Sequence, residues 1–90
     1  MLSRTINQRS KVKIISSILK ITMPGENKNQ IRFRAFLTSR QLRAYLELML
    51  KHNLVMFDET KRSYKTTADG IKFLEFEKLF GKMFDIMEYY

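Results

Sequence analysis

The sequence predicts a mainly helical α+β fold in one domain: three helices, a small β-hairpin and a long final helix. Three observations predict it. Apolar side chains recur at three- and four-residue spacing in four separate stretches, the pattern of helices that bury one face. Between the third and fourth stretch the texture changes to strand-like runs around a charged turn. Proline, glycine, asparagine and threonine stand at the junctions where the chain must change direction.

Residues 1–9 (MLSRTINQR) have no periodicity and read as a loose basic arm. The first helix is expected from about Ser10 to Thr22, where Ile14, Ile15, Ile18 and Leu19 form one buried stripe and Lys11, Lys13, Ser17 and Lys20 stay in water. Pro24-Gly25 ends it, because proline cannot continue a helix and glycine accepts a positive φ. A second, short helix is expected from Lys28 to Phe36, with Ile31 and Ala35 inward and Arg32 and Arg34 outward, and Leu37 in a tight turn. Thr38-Ser39-Arg40-Gln41 is a capping box: the threonine hydroxyl can accept from the third residue's N–H while the glutamine reaches back to the cap. The stripe Leu42, Leu46, Met49 and Leu50 then carries a third helix to His52, and Asn53 is a suitable terminator because asparagine tolerates the left-handed conformation.

Leu54 to Phe57 is short and apolar, Asp58 to Arg62 is a charged turn, and Ser63 to Thr66 alternates, which together read as a hairpin. Thr67 is an N-cap with Asp69 in the first turn, opening a fourth helix expected to run nearly to Tyr90. Along it Phe73, Phe76, Phe80, Met83 and Met87 follow a 3, 4, 3, 4 spacing, a coiled-coil-like seam, with Ile71, Leu74, Leu79 and Ile86 off that seam. That many apolar positions on one helix need two surfaces, the protomer's own core and a partner. Gly81 weakens the helix but permits close approach of another backbone. The expected division is therefore an arm over 1–9, a domain body over 10–67 and a C-terminal dimerisation helix over 68–90.

Helix, helix, helix, hairpin, helix is the order of a winged helix-turn-helix. The segments KVKIISSIL, IRFRAFLTSRQLRAYLELMLKHNLV and YKTTADGIKFLE make the likeness more specific. They resemble the small archaeal winged-helix chromosomal and regulatory proteins that dimerise through a C-terminal helix. Two departures stand out: Ser39 where that family often has tyrosine, and Asn53 where glycine is usual. The resemblance implies duplex-DNA binding by a homodimer, joined by a coiled coil that is abbreviated here because the last helix ends soon after Met87.

Composition narrows the function independently. Ninety residues suffice for one modest core, and 44% apolar and 12% aromatic content argue for a folded domain. The net charge of +8 is unevenly spread: residues 1–65 carry +10 and residues 66–90 carry −2. A basic body of this kind points to a polyanionic partner. With no cysteine there is neither a disulfide framework nor a thiolate metal site, which fits a reducing compartment. The longest apolar stretch, Ile14 to Leu19, is far too short to span a bilayer, and Lys20 follows it with no small-residue cleavage site, against a signal peptide.

The candidate DNA contacts lie on and around the third helix. With Leu42, Leu46 and Met49 inward, Ser39, Arg40, Arg43 and Glu47 fall on the opposite face. Arg40 and Arg43 are one turn apart, and the guanidinium fork suits either a guanine edge or a phosphate. Phosphate contacts are expected from Arg34, from Lys61 and Arg62 at the hairpin tip, from Lys65 on the returning strand, and from Arg9, Lys11 and Lys13 before the first helix. The dimer seam is assigned to Phe73, Phe76, Phe80, Met83 and Met87.

Nothing in the chain reads as a catalytic centre. His52 is the only histidine and sits at a helix C-terminus, Glu75 and Glu77 lie on different faces, and the isolated glycines form no phosphate-cradling loop. The expectation is a non-enzymatic, cytoplasmic, nucleoid-associated homodimer on double-stranded DNA. It has no metal, no cofactor, no membrane partner and no evident small-molecule substrate. The alternative is a winged-helix protein-interaction module within transcription machinery, since fold does not fix function.

Overall fold

The computed structural model describes the backbone of residues 10–87 and the side chains of residues 10–83. The expected basic arm, with Arg9, lies outside the described residues, as do the side chain of Met87 and the last three residues. Helices α1 (Lys11–Ile21), α2 (Lys28–Arg34) and α3 (Ser39–Lys51) are followed by strands β1 (Val55–Asp58) and β2 (Ser63–Thr66) and by helix α4 (Ala68–Met87). The predicted order and hairpin are both present.

Each helix starts where a short polar side chain can satisfy an orphan N–H. Ser10 Oγ accepts from Lys13 N at 3.1 Å, Asn27 Oδ1 from Gln30 N at 2.9 Å, and Thr67 Oγ1 from Gly70 N at 3.0 Å. At α3 the capping box is complete: Gln41 N donates to Thr38 Oγ1 at 3.1 Å and Thr38 N donates to Gln41 Oε1 at 2.9 Å.

The helix ends are more informative. At the end of α3, Asn53 has a φ of 60°, Leu54 N donates to the Met49 carbonyl and Asn53 N to the Leu50 carbonyl, a Schellman motif on the asparagine the sequence offers for it. The same motif closes α2, where Leu37 N donates to the Arg32 carbonyl at 3.0 Å and Phe36 N to that of Phe33 at 3.3 Å. Here the left-handed residue is Phe36, at a φ of 58°. The expectation that α2 runs to Phe36 is corrected: the helix ends at Arg34, because Leu37 is pulled into the core and reverses the chain. Placing a phenylalanine in this conformation costs about 1 to 2 kcal/mol relative to glycine.

The core is built from Ile15, Ile18, Leu19 and Ile21 of α1, Ile31 and Ala35 around α2, Leu37 in the turn that follows, Leu42, Leu46 and Met49 of α3, and Val55 of β1. Tyr45, Leu54, Tyr64, Phe73 and Leu74 pack against it partly buried. Leu50, expected in the α3 stripe, is instead 40% exposed, since Leu42, Leu46 and Met49 already fill the helix's inward face.

The hairpin is antiparallel, pairing Val55 with Thr66 and Asp58 with Ser63, and Phe57 and Tyr64 pack across it with ring centroids 4.8 Å apart. Asp58 Oδ1 accepts from the backbone N–H groups of Thr60 and Lys61, at 2.9 and 3.2 Å, shaping the turn. A strand-like element that the periodicity does not reveal joins this sheet. Glu26 and Tyr64 exchange both backbone hydrogen bonds, at 2.9 and 2.8 Å, so the link between α1 and α2 lies along the outer edge of β2.

Two contacts lock this edge to α1. Thr66 N donates to the Thr22 carbonyl, and the buried hydroxyls of Thr22 and Thr66 stand 2.8 Å apart, with Thr66 Oγ1 also 2.7 Å from the Leu19 carbonyl. Gly70, in the first turn of α4, sits where a Cβ would meet the Leu54 carbonyl, the Thr66 methyl and the Leu19 side chain. Glycine here lets α4 approach the body of the domain, and Lys13 of α1 completes the junction with an ion pair to Glu77 at 3.0 Å.

Candidate nucleic-acid interface

Helix α3 is held by its apolar face. Leu42, Leu46 and Met49 are at most 3% exposed, so the helix can present only its other side to a partner. Ser39, Arg40, Arg43 and Glu47 are all exposed on that side, as the spacing predicts. Among the described residues neither Arg40 nor Arg43 is in an ion pair, so both guanidinium groups keep their donors for a ligand. The segment leading into α3 adds to the positive field. From Asn27 to Leu46 the charged residues are Lys28, Arg32, Arg34, Arg40 and Arg43, with no carboxylate among them.

The surrounding cations are less uniform. Lys61, Arg62 and Lys65 are exposed on the hairpin, with Arg62 in the left-handed region at a φ of 51°, and Lys11 is exposed at the start of α1. Arg34 is exposed as well, but its Nη1 lies 3.5 Å from Glu26 Oε2, so it is partly neutralised. Lys13 is exposed too, but it is engaged by Glu77 of α4, its Nζ 3.0 Å from Glu77 Oε2. Glu77 is 64 residues from Lys13 in sequence and is brought to it only by folding.

The apolar positions of α4, on the seam and beside it, divide in two. Phe73 and Leu74 fold back onto the protomer's core, whereas Phe76, Leu79, Phe80 and Met83 are 60%, 55%, 47% and 49% exposed. Phe76 and Phe80 stack on each other with centroids 5.4 Å apart. Together with Val12 of α1 they border an open groove of about 780 Å³ that runs between α1 and α4 and is overwhelmingly apolar. Val12 was not foreseen there; its position off the Ile15, Ile18 and Leu19 stripe was the available signal.

Two further large apolar residues are exposed next to the basic segment, Phe33 on α2 and Phe36 in the turn before α3. Sequence reasoning passed over them. Their signal was negative, for they lie off the Ile31 and Ala35 face.

Among the described residues no helix is long and apolar enough to cross a membrane. No curated protein sequence matches the chain. A family model described as winged helix-turn-helix matches residues 8–87. That match takes in all four helices and the hairpin, so the chain belongs to the winged helix-turn-helix family.

Proposed function

We propose that this protein binds double-stranded DNA as a homodimer, with α3 in the major groove and the hairpin and neighbouring cations on the flanking phosphates. In this reading it acts in transcription regulation or chromosome organisation, on the nucleoid, like the archaeal proteins its sequence resembles, and carries out no catalysis. The observation that carries the proposal is the division of α3 into a buried apolar face and an exposed face bearing Arg40 and Arg43 without acidic partners. In helix-turn-helix proteins the second helix of the pair enters the groove and its first turns reach base edges, which is where Ser39, Arg40 and Arg43 stand. Lys61, Arg62, Lys65 and Lys11 are assigned to phosphates, with Arg34 and Arg9 as further contributors.

The homodimer is supported by the exposed half of the α4 seam. Phe76, Phe80 and Met83 sit beyond the core on a helix that spans about 30 Å, and burying them against a second copy would remove a contiguous apolar patch from water. Two-fold symmetry would then set two recognition helices on one face of the duplex.

A gel-shift titration on duplex DNA at two salt concentrations tests the DNA assignment. Arg40→Ala with Arg43→Ala is expected to weaken binding more than Lys72→Ala, and binding that is absent or indifferent to salt would refute it. The second reading, a protein-interaction module, is favoured by one observation, the apolar groove between α1 and α4. Light scattering separates the two: a dimer stable to dilution supports self-association, and a soluble monomer supports a different protein in that groove.

A further inference from the structure

The hairpin and the start of α2 border an open cleft of about 590 Å³, within the usual size range of small-molecule pockets. It forms because Glu26 and Tyr64 exchange backbone hydrogen bonds, which sets the first residues of α2 beside β2. The strand register supplies its aromatic wall. Phe57 and Tyr64 stand directly opposite each other in the hairpin, so their side chains share one face, with ring centroids 4.8 Å apart. Tyr64 packs on against the core, whereas Phe57 is left 37% exposed.

Two cations line the same cleft, Lys28 from α2 and Arg62 from the hairpin, and no carboxylate lines it. Among the described residues neither cation is in an ion pair. Arg62 has a φ of 51°, a conformation that glycine or asparagine adopts more readily, so the turn itself does not call for an arginine. Residues held in such conformations concentrate at binding sites. The exposed side chains of Asn29 and Gln30 add two amides to the lining.

These parts narrow the ligand. An exposed aromatic face suits a flat ring, two unpaired cations suit an anion, and amides both donate and accept along the edge of a heterocycle. An apolar peptide would leave the cations unmatched, and a DNA duplex keeps its base faces stacked on one another. A nucleotide carries a ring and an anion together. One ring face and one pair of cations match a single nucleotide rather than a strand.

We propose that this cleft binds a mononucleotide, with the base on Phe57, the phosphate on Lys28 and Arg62, and the base edge toward Asn29 and Gln30. The site is a small-ligand site in a chain whose sequence shows no small-molecule substrate. It does not rest on the duplex reading and shares with it only Arg62.

The test titrates the whole chain, free of DNA, with adenosine 5′-monophosphate, followed by calorimetry and by amide NMR. Saturable binding is expected, with the largest resonance shifts in residues 28–30, 57 and 62–64. Adenosine and inorganic phosphate should each bind at least about tenfold more weakly, since each makes only part of the contacts. Arg62→Gly suits the left-handed backbone and Phe57→Leu keeps an apolar side chain beside Tyr64, so both should keep the hairpin. Each is expected to weaken binding of the nucleotide at least about tenfold. Lys72→Ala, on α4 and not in the lining of this cleft, should bind as before. Absence of saturable binding overturns the proposal, as does undiminished affinity in Arg62→Gly and Phe57→Leu. Inorganic phosphate bound as tightly as the nucleotide also overturns it, for the cleft would then be an anion patch with no use for the ring. So does oligothymidine bound at this cleft where the mononucleotide is not. With no DNA duplex in the titration, every outcome is separate from the test of Arg40 and Arg43.

Discussion

Gly70 and Gly81 show how differently one residue type is used within a single helix. A methyl group at position 70 would collide with the Leu54 carbonyl and the Thr66 side chain, neither of which can move without disturbing the α3–β1 connection or the buried threonine pair. Gly70→Ala is therefore expected to cost about 3 kcal/mol or more, seen as a large drop in the midpoint of thermal unfolding. At Gly81 nothing lies within 4 Å of the added carbon, so Gly81→Ala is expected to raise the stability of the protomer by up to about 1 kcal/mol through helix propensity. Thr66 is the other residue on which much depends. Its hydroxyl is buried against Thr22 Oγ1 and the Leu19 carbonyl, and Thr66→Val would keep the volume while removing the bond to that carbonyl and the contact with Thr22, whose own hydroxyl keeps the Ile18 carbonyl at 2.8 Å. The expected loss is about 1 to 3 kcal/mol in denaturant unfolding, with the slope against denaturant unchanged.

At the scale of elements, α3 depends on its own ends. Thr38→Ala removes one of the two capping-box bonds and is expected to lower stability by about 1 kcal/mol, or roughly 4 to 8 °C in a domain of this size. Because the cap fixes the first turn of α3, the same change should also weaken any ligand held by Ser39 and Arg40. The elements themselves were legible in the sequence because each is specified locally: caps at Ser10, Thr38 and Thr67, Asn53 ready for the left-handed position, and a strand–turn–strand texture through Thr66. What stayed illegible was settled by contacts between segments far apart in the chain. The bridge at Glu26 exists only because Tyr64 comes to lie beside it, and a one-residue bridge leaves no period in the sequence. Phe36 gives no local sign of a left-handed backbone, since the burial of Leu37 imposes it. Likewise Arg34 and Lys13 look like free cations until folding brings Glu26 and Glu77 to them. On α3, by contrast, the exposed face of the candidate interface followed from helical spacing alone, with Leu50 the one misplaced stripe residue.

The whole molecule joins a basic body to an apolar helix that extends beyond it. If α4 pairs with its copy, substituting Phe80→Lys with Met83→Lys should give a folded monomer by light scattering. Duplex affinity should then fall at least about tenfold, because two recognition helices no longer bind as one unit. The central claim concerns the exposed side of α3, and the salt dependence of duplex binding tests it most directly. Neutralising about four phosphates per protomer predicts that log K falls with log salt at a slope near −3 to −4, and about twice that for a dimer. Arg40→Ala with Arg43→Ala should reduce that slope by up to about 2 per protomer along with the affinity. An unchanged slope and affinity in the double variant would contradict the account, for the arginines of α3 would then take no part in holding the DNA.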